Sequence, residues 1–284
     1  MLPRGRTSPL AYGRGIEPSR YHRDTSIRHA NDSVAYAAAA VAPGARVLDI
    51  GSADGSVASV LAASGCRVVG IESDADTAAA APAVFQDLVV ADVETVDLPT
   101  AVHGPFDAIL LLDVLEHLRD PVRVLQQAHS VLQPAGWLVL SVPNAAHAGV
   151  RLSLLENRFD YADVGLLDRT HVRFFDHDGF VEVLDAGGWA ILDESAVWRE
   201  PAETELGGGA TLDAHTELSA LFDADPHATT YQFLGRAVRA GSPLLDHPPV
   251  LHAMQLRELA SAHERALRRT ETVLEATRAQ LPAR

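Results

Sequence analysis

The sequence of 284 residues contains no lysine and only one cysteine, Cys66. A single thiol cannot build a disulfide framework, so the sequence favours a reducing compartment. No run of about 18 apolar residues occurs, and the arginine-bearing N-terminal segment lacks the apolar core of a signal peptide. From these absences we expect a soluble, cytoplasmic protein without a membrane partner.

Several motifs of other protein classes are also missing. The dinucleotide-binding pattern G-x-G-x-x-G is absent, which argues against an NAD-dependent oxidoreductase. No G-x-S-x-G nucleophile elbow occurs, which argues against an α/β-hydrolase. Neither a Cys-x-x-Cys pair nor an H-x-x-x-H pattern is present, so we expect no protein-bound metal. The formal net charge of -15 argues against a broad phosphate-binding surface, and nucleic acid is not an expected partner.

The most informative part of the sequence is an apolar segment that leads into a glycine turn. Arg46–Ile50 has the apolar character of a strand buried on both faces of a parallel sheet. Gly51 and Gly55 then let the backbone turn sharply and approach a ligand closely. The next helix, expected from about Ser56 to Ala63, would direct its free N–H groups at whatever sits over the turn. The segment therefore predicts a nucleotide-type cofactor.

Three carboxylates follow apolar segments at the intervals of an α/β fold: Glu72, Asp92 and Asp113. In open α/β sheets, ligands bind beyond the carboxyl ends of the strands, near the point where the strand order reverses. We therefore expect all three side chains at one edge of the sheet, with Asp113 facing the cofactor or the acceptor. For Glu72, a solvated strand end or a helix cap is the alternative.

The strand, D-x-G-x-x-x-G turn and helix together resemble motif I of class I S-adenosylmethionine (SAM) dependent methyltransferases. The run D-V-L-E-H-L from Asp113 and the segment L-Q-P-A-G-W-L from Leu132 resemble small-molecule methyltransferases related to the ubiquinone-biosynthesis O-methyltransferases. The segment Leu166–Asp176 resembles the G-L-L-D-x-T-H-x-R-F-F pattern of a methyltransferase subfamily. The resemblance implies a Rossmann-like α/β fold with a doubly wound, seven-stranded, mostly parallel sheet. It also implies SAM as cofactor and S-adenosylhomocysteine as product.

The resemblance assigns roles to the residues of the cofactor site. It implies that Glu72 accepts hydrogen bonds from the ribose hydroxyls, that Asp92 meets the adenine amino group, and that the Val93 backbone meets an adenine ring nitrogen. The residues expected at the cofactor are Asp49, Gly51, Ser52, Gly55, Glu72, Asp92, Val93 and Asp113.

His171 is our candidate for the chemistry, because the resemblance places its loop over the acceptor pocket. A neutral imidazole can take a hydroxyl proton near pH 7. The alternative is that His171 bonds to a backbone carbonyl and holds the loop. His147 is the reserve base. Asp168, Arg169 and Arg173 are candidates to orient His171 or an anionic acceptor, Asn144 for the acceptor wall, and Glu116 and His117 for organising their loop.

The remaining segments surround this predicted core. Residues 1–28 are expected to be a loose tail or a lid that brings Tyr21 to the substrate, and a helix is expected over about 26–42. The methyltransferase domain is expected over 29–243, with a turn at Pro134–Gly136. An insertion is expected over 199–228, which is a flexible surface loop, caps the substrate or pairs with another subunit. Residues 244–284 are expected to form an amphipathic C-terminal helix, which is our hypothesis for a homodimer contact.

The sequence thus predicts methyl transfer from SAM to a small molecule. Oxygen is the favoured acceptor atom, in a hydroxyl of a sugar, a phenol or a natural product, because of His171 and the related quinone-pathway enzymes. Two alternatives stay open at this point. One is an N- or C-methyltransferase that acts by proximity, and the other is a non-catalytic SAM-binding module.

Overall fold

The computed structural model of the protein describes residues 32–81, 83–207 and 216–248. The predictions for the N-terminal segment with Tyr21, and for the C-terminal helix beyond residue 248, lie outside these described residues. Within the described part of the chain, no helix is both long and apolar enough to cross a membrane.

The described residues form a seven-stranded sheet with the order β3-β2-β1-β4-β5-β7-β6. The pairs from β3 to β5 are parallel, and β7 runs antiparallel to both of its neighbours. This confirms the predicted mostly parallel sheet. The strands are β1 (Arg46–Ile50), β2 (Arg67–Glu72), β3 (Phe85–Val90), β4 (Phe106–Leu112), β5 (Leu132–Pro143), β6 (Trp189–Trp198) and β7 (Thr230–Arg239).

Helices pack on both faces of the sheet because its central strands are apolar on both sides. Successive residues of a strand point to opposite faces. Accordingly, Val47 of β1 packs with Tyr36 on one face, whereas Leu48 packs with Leu125 on the other. The helices are α1 (Ser33–Ala40), α2 (Ser56–Ala63), α3 (Ala75–Ala80), α4 (Leu98–Ala101), α5 (Pro121–Val131), α6 (Ala148–Leu155), α7 (His177–Ala186) and α8 (Thr216–Asp223).

Helix α1 begins later than the sequence pattern suggested. Asp32 is in an extended conformation, and its carboxylate accepts a hydrogen bond from the Ala35 N–H at 2.7 Å. This is the geometry of an N-cap, which ends the helix on its N-terminal side. The helix α1 therefore starts at Ser33, and the part of the prediction over 26–31 lies outside the described residues.

The predicted turn at Pro134–Gly136 is wrong. Strand β5 begins directly after α5, and its pairing with β4 passes from Leu132 opposite Phe106 to Trp137 opposite Ala108. The extra residues are therefore taken up as a bulge inside the strand. Gly136 is required there, because a Cβ atom at this position would lie 2.8 Å from the carbonyl oxygen of Asp107. The residues Pro134–Gly136, which are typical of turns, therefore lie in a bulge within β5.

Candidate active site

A cleft of about 1510 Å³ lies beyond the carboxyl ends of β1, β2 and β4. The strand order reverses between β1 and β4, which is where open α/β sheets bind ligands. The volume exceeds the roughly 300–1,000 Å³ typical of pockets for one small ligand. The cleft therefore has room for a cofactor and an acceptor together.

The glycine turn forms the floor of the cofactor end of the cleft, which is lined by Asp49, Gly51, Ser52, Glu72, Asp92 and Val93. Gly51 has a φ of 71°, in the left-handed region that favours glycine, and its N–H donates to the carbonyl of Ile71 at 2.9 Å. Gly55 does not line the cleft. It is the left-handed residue from which α2 begins, so its role is to turn the chain into that helix.

Glu72 ends β2 and holds two loops at once. One carboxylate oxygen accepts the Ala53 N–H of the glycine turn at 2.9 Å, and the other accepts the Asp74 N–H at 2.9 Å. The predicted cofactor contact and the alternative of a capping role are therefore compatible. Each carboxylate oxygen has lone pairs for a further bond, so Glu72 can also accept the ribose hydroxyls.

Asp92 lies in the loop after β3, at the far side of the cofactor end. Its Oδ1 accepts the Glu94 N–H at 2.8 Å, which fixes the carboxylate beside the cleft. Val93 follows with 8% of its surface exposed and adds an apolar wall. An apolar wall fits an adenine ring, and a carboxylate beside it can accept a hydrogen bond from the amino group of that ring.

Asp113 lies between the two ends of the cleft. Its φ of 57° is unusual for a residue other than glycine, although aspartate tolerates it better than most. Its Oδ1 accepts from Ser141 Oγ at 2.7 Å and from Gln232 Nε2 at 2.8 Å. Sequence reasoning missed Gln232, because only the antiparallel pairing of β7 with β5 brings it here.

The acceptor end of the cleft is lined by His171, Arg199, Glu205, Tyr231 and Gln232. Tyr231 donates its hydroxyl to Glu205 Oε2 at 3.0 Å, and Arg199 lies 4.3 Å above the tyrosine ring. Burial raises the pKa of the Tyr231 hydroxyl far above its ordinary value, so it stays protonated. Arg199 and Glu205 belong to the predicted insertion over 199–228, which therefore contributes to the cleft wall.

His171 lies at this end with only 5% of its side chain exposed. Its Nε2 is 4.0 Å from Glu116 Oε1, and its ring meets that of His117 edge-on at 4.9 Å. Burial lowers the pKa of His171, and the neighbouring His117 lowers it further, against a smaller opposing effect of Asp168. The imidazole is therefore neutral at pH 7 and carries a lone pair.

Asp168 is connected to His117, the neighbour of His171, through hydrogen bonds of Thr170. Asp168 is 2% exposed, and its Oδ1 accepts from the Thr170 hydroxyl at 2.7 Å. His117 Nδ1 lies 3.2 Å from the Thr170 carbonyl oxygen and 3.1 Å from its hydroxyl oxygen. A carbonyl only accepts, so Nδ1 carries a proton, and in the neutral form of the ring the lone pair is on Nε2.

Three predicted acceptor residues do not line the cleft and have other contacts. Arg173 Nε donates to the Leu118 carbonyl at 3.2 Å, which fastens the loop of His171 to the segment after β4. Arg169 is 57% exposed and pairs with Asp163 at 2.8 Å. Asn144 is fully buried, and its side-chain amide donates to the Thr230 carbonyl at 2.8 Å. These residues hold loops in place, and the geometry does not support direct substrate contact.

The prediction of His147 as a reserve base is likewise not supported by its surroundings. His147 is fully buried and does not line the cleft. Its Nδ1 accepts the Gly149 N–H at 3.0 Å, so its Nε2 is the protonated nitrogen and donates to the Arg199 carbonyl at 2.9 Å. Both ring nitrogens are thus engaged in capping α6 and in fixing Arg199.

His147 makes the stability of the fold depend on pH. Burial lowers its pKa, so the unfolded chain binds this proton at a higher pH than the folded protein does. The free energy of unfolding should therefore fall as the pH drops below the ordinary histidine pKa of about 6.5, by up to roughly 1.4 kcal/mol per pH unit from this residue. Above that pH the full contribution is present.

Urea unfolding at about pH 7.5 and about pH 5.5 measures this effect. His147→Gln preserves a hydrogen-bonding side chain without a titrating ring, so we expect it to lose part of the pH dependence. His103→Gln, at an exposed histidine outside the cleft, is the matched control and should keep it. An unchanged pH dependence in His147→Gln would rule out this role.

Fold and cleft together define a class I methyltransferase, because the doubly wound sheet carries the glycine turn and the carboxylates of a SAM site at its switch point. A model of the methyltransferase-domain family matches residues 20–194. The chain belongs to this family, and SAM is its cofactor.

Two curated relatives are named ubiquinone biosynthesis O-methyltransferase. The one from Xanthomonas campestris pv. campestris (strain B100) is 35% identical over 127 residues, covering 42% of this chain and 52% of the relative. The one from Xanthomonas axonopodis pv. citri (strain 306) is 33% identical over 127 residues, with the same two coverages. The chain spans about half the length of the curated relatives it matches.

Solved structures share the fold at low sequence identity. A SAM-dependent methyltransferase from Thermotoga maritima has a TM-score of 0.50 at 17% identity, over 74% of this chain and 89% of that one. The plantazolicin methyltransferase BamL has a TM-score of 0.51 at 12% identity, over 74% of this chain and 85% of that one. Both confirm the fold expected from the sequence.

Proposed function

We propose that this protein transfers the methyl group of SAM to a hydroxyl oxygen of a small molecule, such as a sugar, a phenol or a natural product. The observation that carries the proposal is His171, a buried and neutral imidazole at the acceptor end of the cleft. A hydroxyl oxygen is a weak nucleophile until its proton is removed, whereas a neutral amine nitrogen attacks without the help of a base. The names of the curated relatives also favour oxygen.

The residues of the cleft divide this work. Bound SAM supplies a methyl carbon on a sulfonium, whose C–S bond breaks with its electron pair left on sulfur as the acceptor oxygen bonds to the carbon. Glu72 and Asp92 hold the ribose and the adenine, and Asp113 fixes the boundary between cofactor and acceptor. Alignment of this kind accounts for roughly 7–11 kcal/mol of barrier lowering. His171 activates the hydroxyl, in the simplest form by taking its proton.

A matched set of acceptors tests the proposal. The protein is incubated with SAM and with catechol, a methyl glycoside, or a primary amine, and methylated products are identified by mass spectrometry. We expect methyl ethers from a hydroxyl acceptor. Their rate of formation should rise as the pH increases through the pKa of His171, which burial lowers, because only the neutral imidazole can take a proton. Methylation of the amine alone would favour the N-methyltransferase alternative. Saturable SAM binding with no product from broader hydroxyl libraries would favour a non-catalytic module.

A further inference from the structure

We propose that Glu116, His117 and His171 form a binding site for a divalent transition-metal cation beside the acceptor end of the cleft. One donor atom from each of the three side chains lies within 4.8 Å of the other two. All three residues line the cleft. Two imidazoles and one carboxylate form a ligand set that proteins use for catalytic zinc and for non-haem iron. The sequence predicted no metal because these ligands come from two distant segments.

The buried carboxylate of Glu116 supports a cation at this position. Glu116 is 1% exposed, and buried charged groups in proteins are either paired or coordinate metals. His171 Nε2 is 4.0 Å away, which is too far for a hydrogen bond. A separation of this size instead allows one ion to lie between the two groups. The cation would neutralise the carboxylate and engage the lone pair of the imidazole.

The hydrogen bonds of His117 provide a second, independent observation. Its Nδ1 donates to Thr170, whose hydroxyl donates in turn to Asp168. Metal-binding histidines almost always donate their other ring N–H to a carbonyl, a carboxylate or water, which fixes the ring and its tautomer. The lone pair is thereby placed on Nε2, which is the nitrogen that would bind the metal.

The backbone holds the two ligand segments together. The N–H groups of Val172 and Arg173 donate to the carbonyl of Glu116 at 2.9 and 3.0 Å. Metal–ligand bonds of about 2.0–2.2 Å place neighbouring ligand atoms roughly 3 to 3.6 Å apart. Binding therefore requires the side chains to approach by about 1 Å, which ring rotations can supply. Nitrogen donors favour Zn²⁺ or Co²⁺ over Ca²⁺, Mg²⁺ and Mn²⁺, which prefer oxygen.

The inference rests on the proposed function and replaces one part of it, the way in which His171 acts. Three protein ligands leave coordination positions open toward the cleft, where an acceptor hydroxyl can bind. A cation lowers the pKa of an oxygen bound to it, so the hydroxyl proton leaves to water without a protein base. His171 then serves as a ligand, and the cation both activates and positions the acceptor.

Cobalt and zinc titrations of the full chain test the site. After treatment with a chelator and removal of the chelator, the protein is titrated with Co²⁺ in a visible spectrometer and with Zn²⁺ in a calorimeter. We expect one saturable site per chain. The visible absorption bands of the bound Co²⁺ should be those of an ion coordinated by nitrogen and oxygen atoms. Glu116→Gln and His171→Gln should each lower the affinity at least about 10-fold. His103→Gln should not change it, and unchanged binding of S-adenosylhomocysteine confirms that each variant is folded.

The outcomes separate the two proposals. Absence of a saturable site, or wild-type metal affinity in both ligand variants, would overturn the metal site. If the metal-free protein methylated a hydroxyl acceptor as fast as the metal-loaded protein, the metal site would also be overturned. The proposal of hydroxyl methylation would then stand, with His171 as the base. Failure to methylate hydroxyl acceptors in the metal-loaded protein would count against the proposed function, whatever the cobalt spectrum shows.

Discussion

Replacing His171 with glutamine is expected to lower kcat by about 10²- to 10⁴-fold and to leave the Kd for SAM within about threefold of its original value. Glutamine can neither accept a proton near neutral pH nor replace an imidazole as a strong metal ligand. His171 lies at the acceptor end, whereas Glu72 and Asp92 line the cofactor end. The variant should therefore lose turnover without losing the cofactor.

Two assays separate these effects. The rate of S-adenosylhomocysteine formation at saturating SAM gives kcat, and calorimetric titration of the same preparation gives the Kd for the cofactor. His103→Gln, at an exposed histidine outside the cleft, is expected to match the unmodified protein in both assays. Turnover of His171→Gln within about threefold of the unmodified protein would leave His171 the role of holding its loop, the alternative raised by the sequence.

Replacing Glu72 with alanine is expected to raise the Kd for SAM by about 10- to 150-fold. Hydrogen bonds to a charged group contribute about 1.5–3 kcal/mol, and each 1.4 kcal/mol corresponds to a factor of ten in affinity. In the role that the resemblance implies for Glu72, the substitution removes the acceptor for the ribose hydroxyls. It also frees the Ala53 N–H, which the carboxylate holds at 2.9 Å, so the glycine turn loses part of its order.

A series of variants checks this expectation. Glu72→Gln keeps one acceptor oxygen and should bind SAM with an affinity between those of the unmodified protein and Glu72→Ala. Asp87→Ala removes an exposed carboxylate from β3, outside the cleft, and serves as the control. Calorimetric titration with SAM gives the affinities of the unmodified protein and of the three variants. Equal affinities in Glu72→Ala and Asp87→Ala would mean that Glu72 serves only to cap its loops.

The sequence predicts well those parts of the fold that local chemistry determines. The apolar run of β1, the left-handed glycine Gly51 and the helix Ser56–Ala63 follow one another within 20 residues, and all three lie where the pattern placed them. Glu72, Asp92 and Asp113 were also predictable, because parallel strands bring their carboxyl ends to the same edge of the sheet.

The roles that the geometry does not support, and those that stay open, depend on contacts between distant segments. Arg173 was a candidate for an anionic acceptor, but its guanidinium binds the Leu118 carbonyl, which lies 55 positions away in the sequence. His147 follows a strand end, as many catalytic residues do, yet its ring caps α6 and binds the Arg199 carbonyl. Nothing in the local pattern of either residue distinguishes these contacts from catalysis.

The same reason explains the group formed by Glu116, His117 and His171. The first two follow β4, and the third lies more than 50 residues later in the sequence. Only the pairing of the loop of His171 with the Glu116 carbonyl brings the three side chains together. A metal-ligand spacing search examines neighbouring positions in the sequence, so it cannot find a set assembled in this way.

Calorimetric titration of the purified full chain with SAM, with S-adenosylhomocysteine and with NADH is the measurement to make first. A class I methyltransferase cleft predicts saturable binding of the first two at one site per chain and no binding of NADH, because the phosphate-binding glycines are absent. Binding of NADH without binding of SAM or S-adenosylhomocysteine would contradict the assignment of the glycine turn, of Glu72 and of Asp92 to a SAM site.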